Sequence, residues 1–374
     1  MMIDMPINKH TLAEHSDFQH LKMEYKPIRS PAGEEIDDLF DAWIWLDNPA
    51  QYNSYTTAML RELCLALDLA STRADVNCVV LTAVGDKAFC TGGNTVEYEN
   101  EYSWRPQEYR TYMGLFNRMI SLILECEKPV INRVNGMRIA GGQEMGLACD
   151  FTISSDLARY GQAGPKHGSA PDGGSTDFLD LYVGYSRAME SCILCEQWSA
   201  HKAMHFGLLN EIVPVLRSPE GEWVPNPMVR LDWVDETTGS IVYGDFLEGE
   251  AKSAGKARMQ SCELDLSKLD EAVDGLSWKL LNTFPGCTRK TLTSIRKKKL
   301  HWWDANRESN REWLALNMAV EAAAGFRAFN IGGQHKKDGS RTPREVDFIK
   351  MRRAIAKGEH WSSELVESWM YKGD

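Results

Sequence analysis

The sequence lacks the features that mark membrane proteins, secreted disulfide-rich proteins and nucleic-acid-binding proteins. No apolar run among its 374 residues is long enough to span a bilayer, and no stretch has the pattern of a signal peptide. The nine cysteines do not follow the spacing of a secreted disulfide framework. The formal net charge of −11 argues against nucleic acid as the main partner. We therefore expect a reduced, cytoplasmic protein that binds neither a membrane nor nucleic acid.

The sequence does contain a glycine-rich turn between an apolar strand and a helix, at residues 134–150. The first N–H groups of a helix have no internal partner, and the helix dipole places partial positive charge there. Such groups can stabilise a developing oxyanion, and Gly141 is the donor that we single out. Glu144, one turn further along, is placed to handle a proton near that oxyanion. Taken alone, the motif fits a plain strand-to-helix turn with a surface Glu equally well.

A second segment, residues 79–94, has the same design: a buried strand, a tight turn, and then Cys-Thr-Gly-Gly-Asn. Two such turns can bring two N–H donors together, and two converging donors form an oxyanion hole. The two segments together resemble those of the crotonase (enoyl-CoA hydratase/isomerase) superfamily. The resemblance implies that the N–H groups of Gly93 and Gly141 bind the thioester oxygen of an acyl-CoA. It also implies substrate contacts at Lys87, Ala88, Thr91, Gly92 and Gly142.

A third segment, residues 160–177, consists almost entirely of loop-forming residues. In superfamily hydratases a second catalytic Glu occupies the position that is Gly164 here. The segment is similar instead to the Gly-Pro-Lys-x-Gly-Ser…Asp-Gly-Gly pattern of 1,4-dihydroxy-2-naphthoyl-CoA synthases, which implies an acid/base role for Asp172. Asp in this setting also favours a plain turn. His167 could be an acid/base or only a loop histidine, and Asp177 could cap the next helix.

The order of predicted strands and helices indicates an α/β fold. The resemblance specifies a crotonase-like spiral of ββα turns followed by C-terminal α-helices that form trimer contacts. We assign residues 1–22 to an N-terminal arm, 23–262 to the spiral core and 263–374 to the C-terminal helices. Residues 217–262 exceed the usual superfamily length and are predicted to be a lid or an inter-subunit arm, with a surface excursion as the alternative. Residues 104–125 are predicted to form an amphipathic helix whose apolar side packs in the core.

Weaker patterns indicate structural roles or leave two readings open. Cys192-x-x-Cys195 is isolated in an apolar helix and is interpreted as packing, and His201 and His205 lack the Glu of a zincin motif, so we expect no metal. The basic run at residues 296–299 could meet CoA phosphates, but such a run is more often a solvated helix face. Burial at subunit contacts is expected for Trp302, Trp303 and Trp313.

Over nearly its whole length the chain resembles a ring-opening branch of the superfamily that acts in anaerobic benzoyl-CoA degradation. The resemblance rests on residues 164–174, the long segment after Val215 and the extended C-terminal helices. It implies hydration of a cyclic enoyl-CoA that carries a ring ketone, and then hydrolytic cleavage of the ring to 3-hydroxypimeloyl-CoA. No cofactor is expected beyond the CoA of the substrate, and the assembly is expected to be a homotrimer or homohexamer. The alternatives are a naphthoate synthase-like ring-closing lyase, a plain enoyl-CoA hydratase and a non-catalytic binding protein of the same fold.

Overall fold

The computed structural model describes residues 18–372, so most of the predicted N-terminal arm lies outside the described residues. The strands are β1 (Leu21–Arg29), β2 (Glu35–Leu46), β3 (Val76–Ala83), β4 (Ala88–Cys90), β5 (Val130–Val134), β6 (Met137–Ile139), β7 (Phe151–Ser155), β8 (Arg159–Gly161), β9 (Trp198–Ser199), β10 (Glu211–Val213), β11 (Leu216–Arg217), β12 (Trp223–Val224) and β13 (Glu263–Leu264). The helices are α1 (Thr57–Thr72), α2 (Thr95–Glu97), α3 (Pro106–Leu124), α4 (Gly141–Ala148), α5 (Ser175–Val183), α6 (Tyr185–Leu194), α7 (Ala200–His205), α8 (Gly249–Gln260), α9 (Ser267–Leu281), α10 (Pro285–Asn317), α11 (Glu321–Ile331), α12 (Phe348–Ala356) and α13 (Ser363–Ser368). Within the described residues, no helix is both long and apolar enough to cross a membrane.

Successive turns of the chain each give one strand to a large sheet and one to a smaller sheet. The six-stranded sheet has the order β1-β2-β3-β5-β7-β10 and is parallel except for the pairing of β1 with β2. The four-stranded sheet has the order β4-β6-β8-β9 and is parallel except for the pairing of β8 with β9. A helix follows each of the pairs β5-β6 and β7-β8, so the chain forms the predicted spiral of ββα turns. The two glycine segments follow β4 and β6, which are neighbouring strands of the smaller sheet.

Helix α1 shows how local sequence sets the elements that frame the site. Thr56 caps its N-terminus, and the side-chain oxygen accepts a 3.2 Å hydrogen bond from the N–H of Met59. The six apolar positions at helical spacing are all buried: Met59, Leu60, Leu63, Ala66, Leu67 and Ala70. Each buried Leu contributes about 2 kcal/mol relative to an exposed one. Helix α3 begins at Pro106, where a missing N–H costs nothing, and it packs between α1 and α10.

Helix α10 is fastened to the end of α4 by two cations of the predicted basic run. Lys299 donates to the carbonyl oxygens of Leu147 (2.7 Å) and Cys149 (2.9 Å), which carry the partial negative charge of the helix end. Arg296 is buried and forms an ion pair with Asp150. The interpretation as a solvated helix face was therefore wrong for these two residues, and a contact between the run and CoA phosphates stays a prediction. The two lysines between them are exposed.

The three tryptophans of α10 do not share one environment. Trp303 is fully buried in the core of its own chain, where its Nε1 donates a 2.9 Å hydrogen bond to Ser121. The prediction that Trp303 lies at a subunit contact was therefore wrong. Trp302 and Trp313 are exposed by 50% and 45% in the single chain, and a subunit contact for these two stays a prediction.

The long segment at residues 217–262 folds back onto the spiral core. Its beginning and the strand that follows it form a three-stranded antiparallel sheet in the order β12-β11-β13. Asn226 donates from its backbone N–H and its side-chain amide to Asp156, both at 2.7 Å. Ser199 donates a 2.6 Å hydrogen bond to the carbonyl of Gly244. These contacts tie the segment to the turn after β7 and to the start of α7.

Candidate active site

The two glycine-rich turns touch each other. Gly92 has a φ of +96°, which favours glycine, and a Cβ built on it would lie 3.0 Å from the Cβ of Ala140 and 3.1 Å from the amide nitrogen of Gly141. A larger residue at position 92 would push the two turns apart. The first turn therefore passes directly over the N-terminus of α4.

Ala140 holds a strained backbone conformation at the start of α4, with φ 53° and ψ −127°. Such a conformation in a non-glycine residue costs on the order of 1–3 kcal/mol and persists only where neighbours enforce it. Here the N–H of Ala140 donates to the carbonyl of Gly161 (3.0 Å), and its carbonyl accepts from the N–H of Glu144 (3.1 Å). The strained residue turns the chain so that Gly141 opens the helix with its N–H group free.

Both predicted oxyanion donors are available to a ligand. Among the described residues, none accepts a hydrogen bond from the N–H of Gly93 or of Gly141. Both glycines line one cavity of about 680 Å³, a volume within the ordinary range for small-molecule sites. Part of its wall is apolar and consists of Met113, Phe116, Leu314, Phe326 and Phe329. The cavity thus combines two backbone donors with an apolar surface that suits a hydrocarbon ring.

Of the five residues predicted to contact the substrate, Thr91 lines the cavity and the other four do not. Ala88 is buried, and its carbonyl accepts from the side chain of Asn53 at 2.8 Å. A Cβ on Gly142 would lie 2.2 Å from the carbonyl oxygen of Cys90, so this glycine permits close packing of α4 on β4. Lys87 is exposed outside the described cavity wall, and a contact between this residue and CoA stays a prediction.

Glu144 is a buried carboxyl group on the cavity wall. Its Oε1 accepts a 2.9 Å hydrogen bond from the N–H of Gly173, and a Cβ on Gly173 would lie 2.5 Å from its Oε2. Burial raises the pKa of Glu144 to about 8, against the lowering effect of the hydrogen bond from Gly173, and the nearby charge of Asp172 raises it further. Glu144 is therefore mainly protonated at neutral pH and can give up a proton.

His167 also lines the cavity, and its tautomer follows from one contact. Its Nδ1 lies 2.8 Å from the carbonyl oxygen of Ala163. A carbonyl oxygen can only accept, so Nδ1 carries the hydrogen and Nε2 carries the lone pair. Burial lowers the pKa of His167 below its ordinary value, which favours this neutral form. The ring packs edge-on against Phe329 at 4.8 Å between centroids. His167 can thus accept a proton through Nε2.

Asp172 lies beside the main cavity rather than in its wall. It is half-buried, and Thr176 donates a 3.1 Å hydrogen bond to its Oδ1. It lines a neighbouring depression together with Trp313 of α10, and Ala170 borders both spaces. Burial raises the pKa of Asp172. The charge of Asp172 raises the pKa of Glu144. A direct contact between Asp172 and the substrate stays a prediction. Gly164 lines the cavity, so that position supplies no second carboxylate.

The residues that the sequence predicted to be structural have clear places in the fold. Asp177 does not cap α5, because the helix begins at Ser175 and Asp177 lies in its first turn, where it accepts a 2.6 Å hydrogen bond from Asn306. Cys192 and Cys195 are buried free thiols. His201 is buried and packs against Tyr243. In the part of the chain that the structure describes, no group of three or more His, Cys, Asp or Glu residues could hold a metal ion.

The sequence analysis missed the tyrosines that surround the two glycines. A Cβ on Gly93 would lie 1.7 Å from the hydroxyl oxygen of Tyr98, and a Cβ on Gly141 would lie 1.9 Å from that of Tyr55. Both tyrosines line the cavity, as does Tyr109, which the sequence placed on the core side of α3. The apolar side of α3 therefore packs partly in the core and partly forms the wall of the cavity. For Tyr98 and Tyr109 the signal was the cluster of tyrosines at 98–112, which a purely apolar surface would not need; no such signal marks Tyr55.

The lid alternative for residues 217–262 receives no support from the cavity of the single chain. The wall is built by the loops that follow β2, β4, β6 and β8, by α3, and by the C-terminal helices α10 and α11. None of the described residues from 217 to 262 belongs to it. An inter-subunit arm stays a prediction.

Comparison with known proteins agrees with this geometry. Residues 42–224 match the family described as enoyl-CoA hydratase/isomerase. A 6-oxocyclohex-1-ene-1-carbonyl-CoA hydrolase from Geobacter metallireducens is 53% identical over 94% of this chain and 90% of its own length. One from Thauera aromatica is 52% identical over 96% of this chain and 94% of its own length. The solved structure of an enoyl-CoA hydratase from Mycobacterium avium subsp. paratuberculosis has a TM-score of 0.59, with 19% identity, over 84% of this chain and 100% of that one, which shows a shared fold.

The family resemblance that the two glycine segments predicted is confirmed by these matches, and the fold class is confirmed by the shared architecture. The chain belongs to the enoyl-CoA hydratase/isomerase (crotonase) family.

Proposed function

We propose that the chain is an enzyme that hydrates 6-oxocyclohex-1-ene-1-carbonyl-CoA and then cleaves the ring by hydrolysis to 3-hydroxypimeloyl-CoA. The observation that carries the proposal is the pair of free N–H groups, at Gly93 and Gly141, that line a single cavity with an apolar wall. The two relatives that match most of the chain are named as hydrolases of this substrate. The apolar wall suits the alicyclic ring, and the two donors suit the thioester oxygen.

In the first step water adds to the carbon–carbon double bond that is conjugated with the thioester and the ring ketone. Negative charge moves onto the thioester oxygen, where Gly93 and Gly141 can donate two hydrogen bonds. Removal of one such donor typically costs about 3 kcal/mol in barrier height. The enolate then takes a proton at the carbon next to the thioester.

In the second step water adds to the ring ketone, and the tetrahedral alkoxide collapses to a carboxylic acid. The ring carbon–carbon bond breaks, and its electron pair moves into a thioester enolate. The charge returns to the same thioester oxygen, so one oxyanion hole serves both steps. Protonation at carbon completes 3-hydroxypimeloyl-CoA.

Proton transfer is assigned to Glu144 and His167, because the site raises the pKa of the first and lowers the pKa of the second. Glu144 is mainly protonated and supplies a proton to the enolate carbon, while neutral His167 accepts a proton from water through Nε2. Asp172, which the sequence suggested as a direct acid/base, acts in this proposal through its charge on Glu144. The assignment follows from which side chains line the cavity.

The setting of the enzyme is also a proposal. We infer a cytoplasmic homotrimer or homohexamer that acts in anaerobic breakdown of aromatic compounds and uses no cofactor beyond the CoA of its substrate. Exposed large apolar side chains on α5, α6 and α10 support self-association. They are Leu181, Tyr185, Met189, Ile193, Leu194, Ile295, Trp302, Trp313 and Leu316.

The direct test incubates the purified protein with 6-oxocyclohex-1-ene-1-carbonyl-CoA and identifies the products by mass. Ring opening gives a product that has gained two waters and carries a new carboxylate. A product with only one added water would indicate a plain hydratase. An unchanged substrate, with no turnover of other enoyl-CoA thioesters, would indicate a binding protein of the same fold.

A further inference from the structure

The hydroxyl of Tyr55 stands beside the oxyanion hole without a partner. Tyr55 lines the cavity, is only 3% exposed, and its hydroxyl makes no hydrogen bond to any described residue. A Cβ on Gly141 would lie 1.9 Å from this hydroxyl, which places it next to the α-carbon of one proposed donor. The hydroxyl is therefore available to donate a hydrogen bond to a substrate oxygen in the cavity.

Tyr55 is held in place by the first glycine turn and by helix α3. Its backbone N–H donates to the carbonyl of Gly92 (3.0 Å), and its carbonyl accepts from the N–H of Asn94 (3.0 Å). Its ring packs on Phe116 with 5.6 Å between centroids. The backbone thus belongs to the first turn, while the hydroxyl reaches the second. A donor fixed in this way needs no reorganisation when charge develops near it.

The second tyrosine beside the hole differs in one respect. The hydroxyl of Tyr98 lies close to Gly93, but it shares a 2.6 Å hydrogen bond with the hydroxyl of Tyr112. It is therefore engaged within the protein. Of the two hydroxyls next to the donor glycines, only that of Tyr55 makes no hydrogen bond to a described residue.

We infer that Tyr55 is a catalytic residue of the ring-opening step, in which its hydroxyl donates a hydrogen bond to the oxygen of the ring ketone. The inference rests on the proposed function. The thioester carbonyl and the ring ketone are attached to the same ring carbon, so their oxygens lie close together. A donor immediately beside the thioester hole therefore suits the second oxygen. An ordinary enoyl-CoA, which has no second carbonyl at this position, would have no use for it.

The step balances without any oxidant or reductant. The oxygen of water bonds to the ketone carbon, a proton of that water passes to His167, and the carbonyl electron pair moves onto the ketone oxygen, where Tyr55 donates. The C=O bond then re-forms as a carboxylic acid, and the ring carbon–carbon bond breaks. Its electron pair enters the thioester enolate, which takes a proton at carbon from Glu144. Burial raises the pKa of Tyr55 well above its ordinary value, so the phenol keeps its proton as a donor throughout.

The experiment compares Tyr55→Phe with Tyr102→Phe in the full-length protein. Phe keeps the ring and loses only the hydroxyl. The Tyr102 hydroxyl is bonded to Thr57 (2.6 Å), and Tyr102 is not one of the residues that line the cavity, so it is a matched control. The substrate is 2-oxocyclohexane-1-carbonyl-CoA, which requires cleavage without prior hydration. The second measurement is the Kd for cyclohexane-1-carbonyl-CoA, which has the thioester but no ketone.

For Tyr55→Phe we expect kcat for cleavage to fall by roughly 10²–10³-fold while the Kd for the ketone-free thioester changes less than about twofold. Tyr102→Phe is expected to leave both values within about twofold. Cleavage by Tyr55→Phe at nearly the wild-type rate overturns the inference. A parallel loss of binding and cleavage also overturns it, in favour of a structural role. If the wild-type protein opens neither 2-oxocyclohexane-1-carbonyl-CoA nor 6-oxocyclohex-1-ene-1-carbonyl-CoA, the proposed function itself has failed. That result is distinct from the two outcomes that overturn the role of Tyr55.

Discussion

The carboxyl group of Glu144 accepts a 2.9 Å hydrogen bond from the backbone N–H of Gly173. The bond joins α4, whose first residue is a proposed oxyanion donor, to the loop that carries Asp172. Phe116 packs on the same side of Gly173, where a Cβ would lie 2.4 Å from its ring and 2.5 Å from Oε2 of Glu144. Glu144, helix α4 and the loop that carries Asp172 therefore pack together. A change in any of them should alter the pKa of Glu144.

The first prediction is a bell-shaped dependence of kcat on pH. Turnover requires protonated Glu144, so it should fall as pH rises through about 8. It also requires neutral His167, so it should fall again as pH drops through the lowered pKa of that residue, below its ordinary value of 6.5. Ring opening measured by product mass across this range tests the profile. Glu144→Gln should lose roughly 10²–10⁴-fold in kcat and its alkaline limb. A wild-type profile that is flat through pH 8 would contradict the assignment.

The second prediction separates the two possible roles of Asp172. Its negative charge raises the pKa of Glu144, so Asp172→Asn should lower that pKa and move the alkaline limb of the profile to lower pH. Because Asp172 lies outside the main cavity wall, kcat on the plateau should fall much less than in Glu144→Gln. Asp180→Asn, an exposed change on α5, the helix that follows the loop of Asp172, should leave the limb unmoved. A loss of kcat as large as that of Glu144→Gln, with the limb unchanged, would show that Asp172 itself transfers the proton.

The parts of the fold and site that the sequence predicted are those that short-range sterics and periodicity determine. The helical spacing of six apolar positions predicts a helix from Thr56 to about Arg73, and α1 begins and ends within one residue of these bounds. The two glycine turns were recognisable because only glycine tolerates the φ of +96° at Gly92 and the close approach at Gly141. These constraints act within a few residues and are therefore visible in a linear sequence.

The parts that it could not predict depend on partners far away in the chain. Arg296 is a cation in a basic run, but it is buried because Asp150, 146 residues earlier, supplies a counter-charge. Asp172 borders a depression that it shares with Trp313 of α10, a residue far later in the chain. Tyr55 gained its place beside Gly141 from the meeting of two distant turns. No local pattern specifies such contacts.

The third prediction concerns the donor glycine of α4. In Gly141→Ala the added methyl group would lie 1.9 Å from the hydroxyl oxygen of Tyr55, so the side chain or the backbone must shift. A backbone shift displaces the N–H donor, and a side-chain shift displaces the Tyr55 hydroxyl beside it, so we expect kcat to fall by roughly 10²–10³-fold. Gly275→Ala is the control, because nothing lies within 4 Å of a Cβ at that position of α9. It should leave kcat unchanged and stabilise the helix by about 0.5–1 kcal/mol. Normal turnover by Gly141→Ala would remove this N–H from the mechanism.

The fourth prediction concerns the ion pair that fastens α10 to the end of α4. Arg296 donates to Asp150 (Nε to Oδ1, 2.8 Å) and to the carbonyl of Lys128 (2.9 Å), and both charged side chains are buried. Arg296→Ala would leave the carboxylate of Asp150 buried without its counter-charge, which typically costs about 3–5 kcal/mol. Lys298→Ala, an exposed change two residues away, should alter stability by less than about 0.5 kcal/mol. Urea unfolding at one fixed protein concentration measures the difference, because association with other subunits would otherwise shift the midpoint. A loss below about 1 kcal/mol for Arg296→Ala would mean that water reaches Asp150 and that the helix is held mainly by its apolar contacts.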